Sequence, residues 1–323
     1  MPLELYSELL ECLPLETVTF AFAYGSGAIS QADENIADKM VDYIVVTTDP
    51  LRFHEENLRR NKGHYSFIRY FGPEKITKLQ RNSGARLLFN TNVRYKGRLM
   101  KYGVISTEDL QSDLLDWSWM YAAGRLQKPV LNVIAPSDPI MTQMKENRIN
   151  ALQAALLQLP DSFTMEKLLQ QIVALSYNGD FRMFFGEDKK KIFKIVSGGF
   201  EELEKIYQPL LMEDQRIIIK GSRLEQDNST AAIYHRLNLL PQAVLNGLQS
   251  RSRAWDKRQK DIEEVLFSIA HRHDIGDHVA ATMASIVRST SYSQTAKNAL
   301  TAGFAKSVIY SSRKLLKMMR SVR

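Results

Sequence analysis

TVTFAFAYGSG, residues 17–27, followed after about a dozen mixed residues by MVDYIVVTT, residues 40–48, decides how the chain reads as a fold. Residues 17–24 are β-branched, aromatic or small, with apolar character throughout, which predicts a buried strand. That strand runs directly into Gly25-Ser26-Gly27. The second run predicts another buried strand with a single carboxylate, Asp42, inside it. Asp49-Pro50 then ends the strand and opens a helix, where an early proline forfeits no hydrogen bond. Glycine lets a backbone approach phosphates closely, a serine there supplies a hydroxyl donor, and a rigid carboxylate on the next strand can hold Mg2+.

Outward from this pair, residues 3–11 carry Leu5 and Leu9 among acids at helical spacing and predict a short helix. Strands are expected at Ala85–Asn90 and Leu99–Ser106, joined by a turn through Lys96-Gly97. Thr107-Glu108-Asp109 opens a helix expected to carry Trp117 and Trp119. From Ala135 to about Tyr207 the pattern is helical, broken at Pro160, Gly179 and Gly198-Gly199, with one more short strand at Ile217–Lys220. The fold class is therefore α+β. The composition change near Pro129–Pro139 divides the chain into residues 1–130, a mostly helical 131–277 and a C-terminal segment 278–323.

Charge is the first functional clue. The 323 residues carry 43 Lys+Arg and 36 Asp+Glu, a net of +7. No acid follows Asp277, and the last 46 positions hold eight of the basic residues, which leaves residues 1–277 with 35 basic and 36 acidic groups. A neutral body with one basic helical tail points to an anionic surface rather than to nucleic acid. Built as a helix, residues 304–320 place Phe304, Val308, Leu315 and Met319 on one side and Lys306, Arg313, Lys317 and Arg320 on the other. That is a membrane-binding, interfacial pattern, although Lys297 falls on the apolar side of the preceding turns. A solvated helix packed on the body is the plainer alternative. One cysteine, Cys12, permits neither an internal disulfide nor a cysteine zinc site. No apolar run approaches a membrane span, and MPLELYSELL lacks the marks of a signal or transit peptide. Either the chain works where it is made or a presequence has been removed.

The strand, Gly25-Ser26 and Asp42 arrangement resembles the polymerase-β-like nucleotidyltransferases, with one departure: Ile44 stands where that superfamily usually has a second acid. Other polar groups are candidates around it. Asn57 and Asn61 share a helical face that leads to His64, Tyr65 and Ser66, candidates for nucleotide or lipid-phosphate contacts, or simply helix caps. Lys101, Arg125 and Lys128 are candidates to neutralise phosphates, against the plainer reading of a basic helix end. Asp180 and Glu187 are candidate metal or hydroxyl partners, with Arg182 as a phosphate clamp, or they form an ordinary interhelical turn. The cluster of His271, His273, Asp274, Asp277 and His278 reads as a polar helix end, not a metal site.

Taken in order, YGSG at 24–27, Asp42, FHEENLRRNKGHYS at 53–66, KYGV at 101–104, DLLDW at 113–117, AGRLQKPV at 123–130, LSYNGDFRM at 175–183 with Glu187, and residues 286–310 resemble one family across nearly the whole chain. It is the peripheral, mitochondrial-type CDP-diacylglycerol synthases, the translocator-assembly-and-maintenance family of phosphatidate cytidylyltransferases. Phe53 and Asn90-Thr91 stand where that family often has Trp and Asn-Pro. The resemblance implies a nucleotidyltransferase domain, a winged-helix-like second domain and a C-terminal membrane helix. It implies that CTP and phosphatidate give CDP-diacylglycerol and pyrophosphate with Mg2+, feeding phosphatidylglycerol and cardiolipin synthesis. The location implied is membrane-peripheral: the matrix face of the mitochondrial inner membrane, or the cytoplasmic face of a bacterial membrane. Within it, CTP is expected against Gly25-Ser26, with Asp42 carrying the metal. Two rivals stay open: a nucleotidyltransferase with another acceptor, and a non-enzymatic membrane-bound assembly factor.

Overall fold

A computed structural model describes residues 3–28, 40–185, 190–254, 256–258 and 261–302. The elements in order are α1 (Leu3–Leu10), β1 (Val18–Tyr24), β2 (Val41–Thr47), α2 (Pro50–Arg60), α3 (Pro73–Asn82), β3 (Leu88–Tyr95), β4 (Arg98–Ser106), α4 (Thr107–Asp116), α5 (Ala122–Leu126) and β5 (Leu131–Ile134). Then come α6 (Asp138–Leu156), β6 (Ser162–Thr164), α7 (Met165–Leu175), α8 (Arg182–Phe185), α9 (Lys191–Gly198), α10 (Phe200–Glu213), β7 (Ile217–Lys220), β8 (Arg223–Gln226), α11 (Thr230–Asn238), α12 (Gln242–Ser252), α13 (Ile262–Ala270) and α14 (Ile275–Ala302). The mixed α+β class expected from the sequence is what the chain adopts.

The first five strands form one sheet in the order β3-β4-β2-β1-β5, with β2 and β4 parallel and every other neighbour antiparallel. Register sets Tyr24 opposite Asp42 and Asp42 beside Lys101. Because side chains alternate across a strand, all three stand on one face. That face continues through Phe20, Phe22, Ile44, Val46, Phe89 and Ile105 into the core shared with α4 to α7. The opposite face, with Ala21, Ala23, Tyr43, Val45, Tyr102 and Val104, is covered by Tyr6, Leu9 and Leu10 of α1 and Phe53 of α2. Covering both faces explains why the strands are apolar throughout rather than alternating.

Asp49 caps α2 by accepting a hydrogen bond from the Arg52 amide at 3.0 Å, with Pro50 at the first turn, as expected. Other local expectations shift. The strand expected at 85–90 lies at Leu88–Tyr95, with an irregularity between Asn90 and Val93. The helix after Thr107 stops at Asp116, because Trp117 turns left-handed at φ 55° to send its indole Nε1–H to Asn147 Oδ1 at 2.8 Å. Trp117 and Trp119 are therefore beyond that helix. The strand β5, which the sequence reading did not include, pairs with β1. β6, β8 and β7 make a second, small antiparallel sheet among the helices. Among the described residues no helix is long and apolar enough to cross a membrane.

α14 runs for 28 residues, about 42 Å at the usual helical rise, and lies against β3, α7 and α12. Gln294 reaches from it to the backbone ahead of the edge strand, accepting from the Ala85 amide at 2.8 Å and donating to the Leu87 carbonyl at 3.2 Å. Lys297 is buried and donates to the Gln80 and Ser83 carbonyls at the end of α3, at 3.2 and 2.6 Å. It satisfies orphan carbonyls at the negative end of that helix. This explains why a lysine sits on the apolar side of the turns. The amphipathic pattern at 304–320 lies outside the described residues.

Candidate active site

The turn after β1 is tight for two reasons. Gly25 has φ +72°, the left-handed region that favours glycine. A Cβ on Gly27 would stand 2.4 Å from the Met40 carbonyl oxygen, so the turn lies directly against the start of β2. The Tyr6 hydroxyl donates to the Gly27 carbonyl at 3.0 Å and pins the turn to α1. Ser26 sits between the two glycines, half-buried, in the turn that follows β1.

Asp42 Oδ1 is 3.4 Å from Lys101 Nζ, which lies 4.4 Å over the Phe89 ring. That oxygen is buried and accepts no hydrogen bond among the described residues. A buried carboxylate oxygen with no hydrogen bond, one strand from a glycine turn, suits a hard cation shared with phosphate oxygens, since Mg2+ is commonly bound by one or two carboxylates plus phosphates. The donor set thus fits one ion held by Asp42 and the nucleotide. Among the described residues there is no group of three His, Cys, Asp or Glu to cage a metal by protein alone.

Beyond Lys101, further cations come from separate elements. Arg125 of α5 lies 3.8 Å over the Tyr121 ring and 4.8 Å over the Tyr24 ring, and its Nη1 donates to the Tyr121 carbonyl at 2.6 Å. Burial alone would push the Tyr121 hydroxyl up, but Arg125, Lys101 and Arg182 together hold it below its ordinary value. α5 is itself held by Asp113, a buried carboxylate that accepts the backbone N–H groups of Trp119, Tyr121, Ala122 and Ala123 at 2.7 to 3.0 Å. Lys128 donates to the Gly124 carbonyl and to Ser176 Oγ at 2.8 Å, and faces Tyr177. Burial first, then Arg125 and Lys191, bring its ammonium down to about 7.

Asp180 and Arg182 form a two-pronged pair, Nε to Oδ1 at 3.0 Å and Nη2 to Oδ2 at 2.5 Å, and Asp180 also accepts the Arg182 amide. The structure therefore brings Asp42 and Lys101 together and sets Lys101, Arg125 and Arg182 about Tyr121, with Lys128 next to Arg125 and Asp180 committed to Arg182. Glu187 and the tail residues Lys306, Arg313, Lys317 and Arg320 lie outside the described residues.

His64, Tyr65 and Ser66 are on the other side of the sheet, because Tyr102 faces away from its neighbour Lys101. Asn57 donates to both the Tyr65 and Tyr102 hydroxyls, at 3.0 and 2.8 Å. His54 bridges Tyr65 Oη at 2.8 Å and Gln80 Oε1 at 2.7 Å, and His64 Nδ1 meets Tyr102 Oη at 2.9 Å. Ser66 donates to the Thr301 carbonyl of α14. The aromatic rings that seat the cations, Tyr24, Phe89, Tyr121 and Tyr177, were not singled out from the sequence. Only Tyr24, inside the YGSG run, and Tyr177, inside LSYNGDFRM, carried a signal there.

In the histidine cluster at 271–278, Asp274 pairs with Arg272 at 2.7 Å and with His278 at 3.3 Å, and His271 meets the Phe267 carbonyl at 2.8 Å.

A family profile described as "Phosphatidate cytidylyltransferase, mitochondrial" matches residues 6–317. Curated proteins of that name align along nearly the whole chain. The protein of Caenorhabditis briggsae is 53% identical over 98% of this chain and 99% of its own, and that of Xenopus laevis 40% over 98% and 95%. The human protein is 39% identical over 92% of this chain and 67% of its own. A solved nucleotidyltransferase-like protein from Exiguobacterium sibiricum covers 92% of this chain and 75% of its own at 10% identity and a TM-score of 0.25, too distant to bear on the fold. With a profile covering almost every residue and relatives this similar end to end, the chain belongs to the mitochondrial phosphatidate cytidylyltransferase family.

Proposed function

We propose that this chain transfers the cytidylyl group of CTP to phosphatidate, forming CDP-diacylglycerol and pyrophosphate. The observation that carries the reading is Asp42, whose Oδ1 has no hydrogen bond among the described residues and lies 3.4 Å from Lys101 Nζ, one strand from Tyr24, whose ring seats Arg125. Such an array is suited to several phosphates at once. The glycine turn admits the triphosphate, with Ser26 as a hydroxyl donor. A phosphatidate oxygen attacks the α-phosphorus, and the bond between that phosphorus and its bridging oxygen to the β-phosphate breaks. The electron pair leaves with pyrophosphate. The attacking oxygen is already anionic, so no side chain has to remove a proton, and positioning with charge neutralisation supplies the catalysis. Mg2+, held by Asp42 and the nucleotide, would neutralise charge on the phosphates and the departing pyrophosphate.

On this reading residues 1–130, completed by β5, are the nucleotidyltransferase unit. The rest of residues 131–277, with helices around the β6-β8-β7 sheet, is the winged-helix-like unit. The segment from 278 onward leads into the basic, membrane-binding stretch that contains Lys306, Arg313, Lys317 and Arg320. His64 remains a candidate for lipid-side contacts only by way of Tyr102. Tyr65 and Ser66 serve the packing of the opposite face, and Asp180 serves to aim Arg182. The protein would work as a peripheral enzyme on an anionic mitochondrial membrane, the matrix face of the inner membrane being the place where its product feeds phosphatidylglycerol and cardiolipin.

The test is product formation from labelled CTP and phosphatidate in mixed micelles with Mg2+, alongside ATP, GTP and UTP. Labelled CDP-diacylglycerol that needs both CTP and phosphatidate supports the reading. Labelled product with a soluble acceptor in place of the lipid would assign the core to another transfer reaction.

A further inference from the structure

The short turn Phe67–Phe71, sequence FIRYF, departs from ordinary burial. Ile68 is buried against Tyr65, Ile76 and Leu88 and anchors the turn. Its neighbours point the other way: Phe67 is 41% exposed, Tyr70 71% and Phe71 48%. Phe67 and Phe71 pack edge to face at 5.7 Å as one small apolar pair, and Tyr70 stands exposed in the same turn, so together they make a knob rather than scattered side chains. Large aromatics set together in water mark an interaction surface.

The charge around the knob is mainly positive, with Glu74 the acid next to it in sequence. Residues 57–73 contain Arg59, Arg60, Lys62 and Arg69 and no acid. Arg59 and Arg60 pair with Glu56 and Glu16. Arg69 stacks 4.9 Å over the Tyr70 ring and donates to its hydroxyl at 3.0 Å, and Lys62 is exposed nearby. Arg69 and Lys62 act together on Tyr70, holding its hydroxyl below the ordinary value. Exposed aromatics flanked by Lys and Arg are the chemistry of a lipid interface, where rings enter the headgroup layer and cations meet anionic phosphates.

Position on the molecule decides between a lipid surface and another partner. The Ser66 hydroxyl donates to the Thr301 carbonyl, so the knob adjoins the end of α14. Leu300 there is 53% exposed. Beyond it residues 303–323 hold six Lys/Arg and no acid. α14 also connects the knob to the active site. Tyr292 stacks on Phe181 at 4.5 Å, and Phe181 precedes Arg182. From Tyr292 to Thr301 is nine residues, about 13 Å of helical rise.

We propose that the Phe67–Phe71 knob, with Lys62 and Arg69, is a second membrane contact that rests on the same anionic bilayer surface as the basic C-terminal stretch. Two contacts fix an orientation where one gives only attachment, and this pair would hold the Arg182 end of the site within about one short helix length of the lipid headgroups. The proposal deepens the phosphatidate reading and rests on it.

The test uses the full chain and vesicles of phosphatidylcholine with phosphatidylglycerol. In flotation, the triple change Phe67→Ser, Tyr70→Ser, Phe71→Ser is expected to lower the partition coefficient about tenfold or more, from the apolar area no longer buried. Its thermal midpoint and near-ultraviolet spectrum show that it is folded. A second variant, Tyr70→Trp, should be quenched by brominated acyl chains beyond the background of Trp117, Trp119 and Trp255. Undiminished partition of the folded triple variant, or no added quenching while the chain is vesicle-bound, overturns the proposal. So does a wild-type chain that fails to bind these vesicles, which would leave the knob to a protein partner. Neither readout requires turnover. Wild-type turnover of short-chain, water-dispersed phosphatidate separately tests the reading on which the proposal rests.

Discussion

Lys128 shows how much a single residue can be asked to do. It is half-buried against Gly124, Ser176 and Tyr177, and desolvation with Arg125 and Lys191 brings its ammonium down to about 7. The free enzyme should therefore carry this charge at pH 6 and lose it by pH 8. If the charge neutralises a substrate phosphate, kcat/KM for CTP falls as pH rises through about 7, and Lys128→Arg removes that limb of the profile. Lys128→Gln should lower kcat/KM at pH 6 by about 10²–10³, the usual cost of one preorganised transition-state donor. A profile unchanged in both variants would show that the lysine only packs. Basic character at this position was legible in AGRLQKPV, but the depressed ammonium was not, because it depends on Tyr177 and Lys191 arriving from distant segments.

At the scale of elements, the β1 turn and β2 are built as one object. Gly27→Ala would drive a Cβ to 2.4 Å from the Met40 carbonyl, a backbone atom that cannot swing aside. The expected cost is about 1–3 kcal/mol, as for other overpacked sites, read as a lowered denaturant midpoint with a parallel loss of turnover. A variant of unchanged stability would mean that the turn stands off from β2. The same elements show what periodicity can carry. The runs 17–24 and 40–48 were legible because burial on both faces leaves them apolar throughout, and Asp49-Pro50 ends β2 as capping chemistry requires. LNVI, β5, was not legible: four residues between two prolines give no period to read, and only pairing with β1 makes them a strand. His64 and Tyr65 looked like site residues because both carry polar atoms after a helix. Alternation along β4 sends Tyr102 to their side and Lys101 to Asp42's. The expected boundary at 130 falls just before β5, which is hydrogen-bonded into the five-stranded sheet.

For the whole molecule, the decisive feature is the uneven distribution of charge. The body is near neutral while the end that follows α14 is basic, and Gln294 and Lys297 lock α14 to the backbone between α3 and β3. Attachment to the membrane would then orient the catalytic sheet as well as tether it. Each basic side chain near an anionic surface is worth about 1 kcal/mol, so changing Lys306, Arg313, Lys317 and Arg320 to Gln should weaken vesicle binding on the order of 10²–10³-fold at low salt. Raising ionic strength should weaken the wild type in the same direction. Vesicle flotation checks both, and binding that ignores these four charges would place attachment elsewhere. The basic tail was visible in the sequence. The clamp by Lys297 was not, since a lysine on an apolar stripe reads as an exception until the end of α3 is set against it.

The most direct measurement is pyrophosphate release from CTP with Mg2+, with and without phosphatidate in mixed micelles, for the wild type and Asp42→Asn. The account predicts release that requires phosphatidate and is abolished in the variant while its thermal midpoint is retained. Phosphatidate-dependent release that survives in folded Asp42→Asn would contradict it.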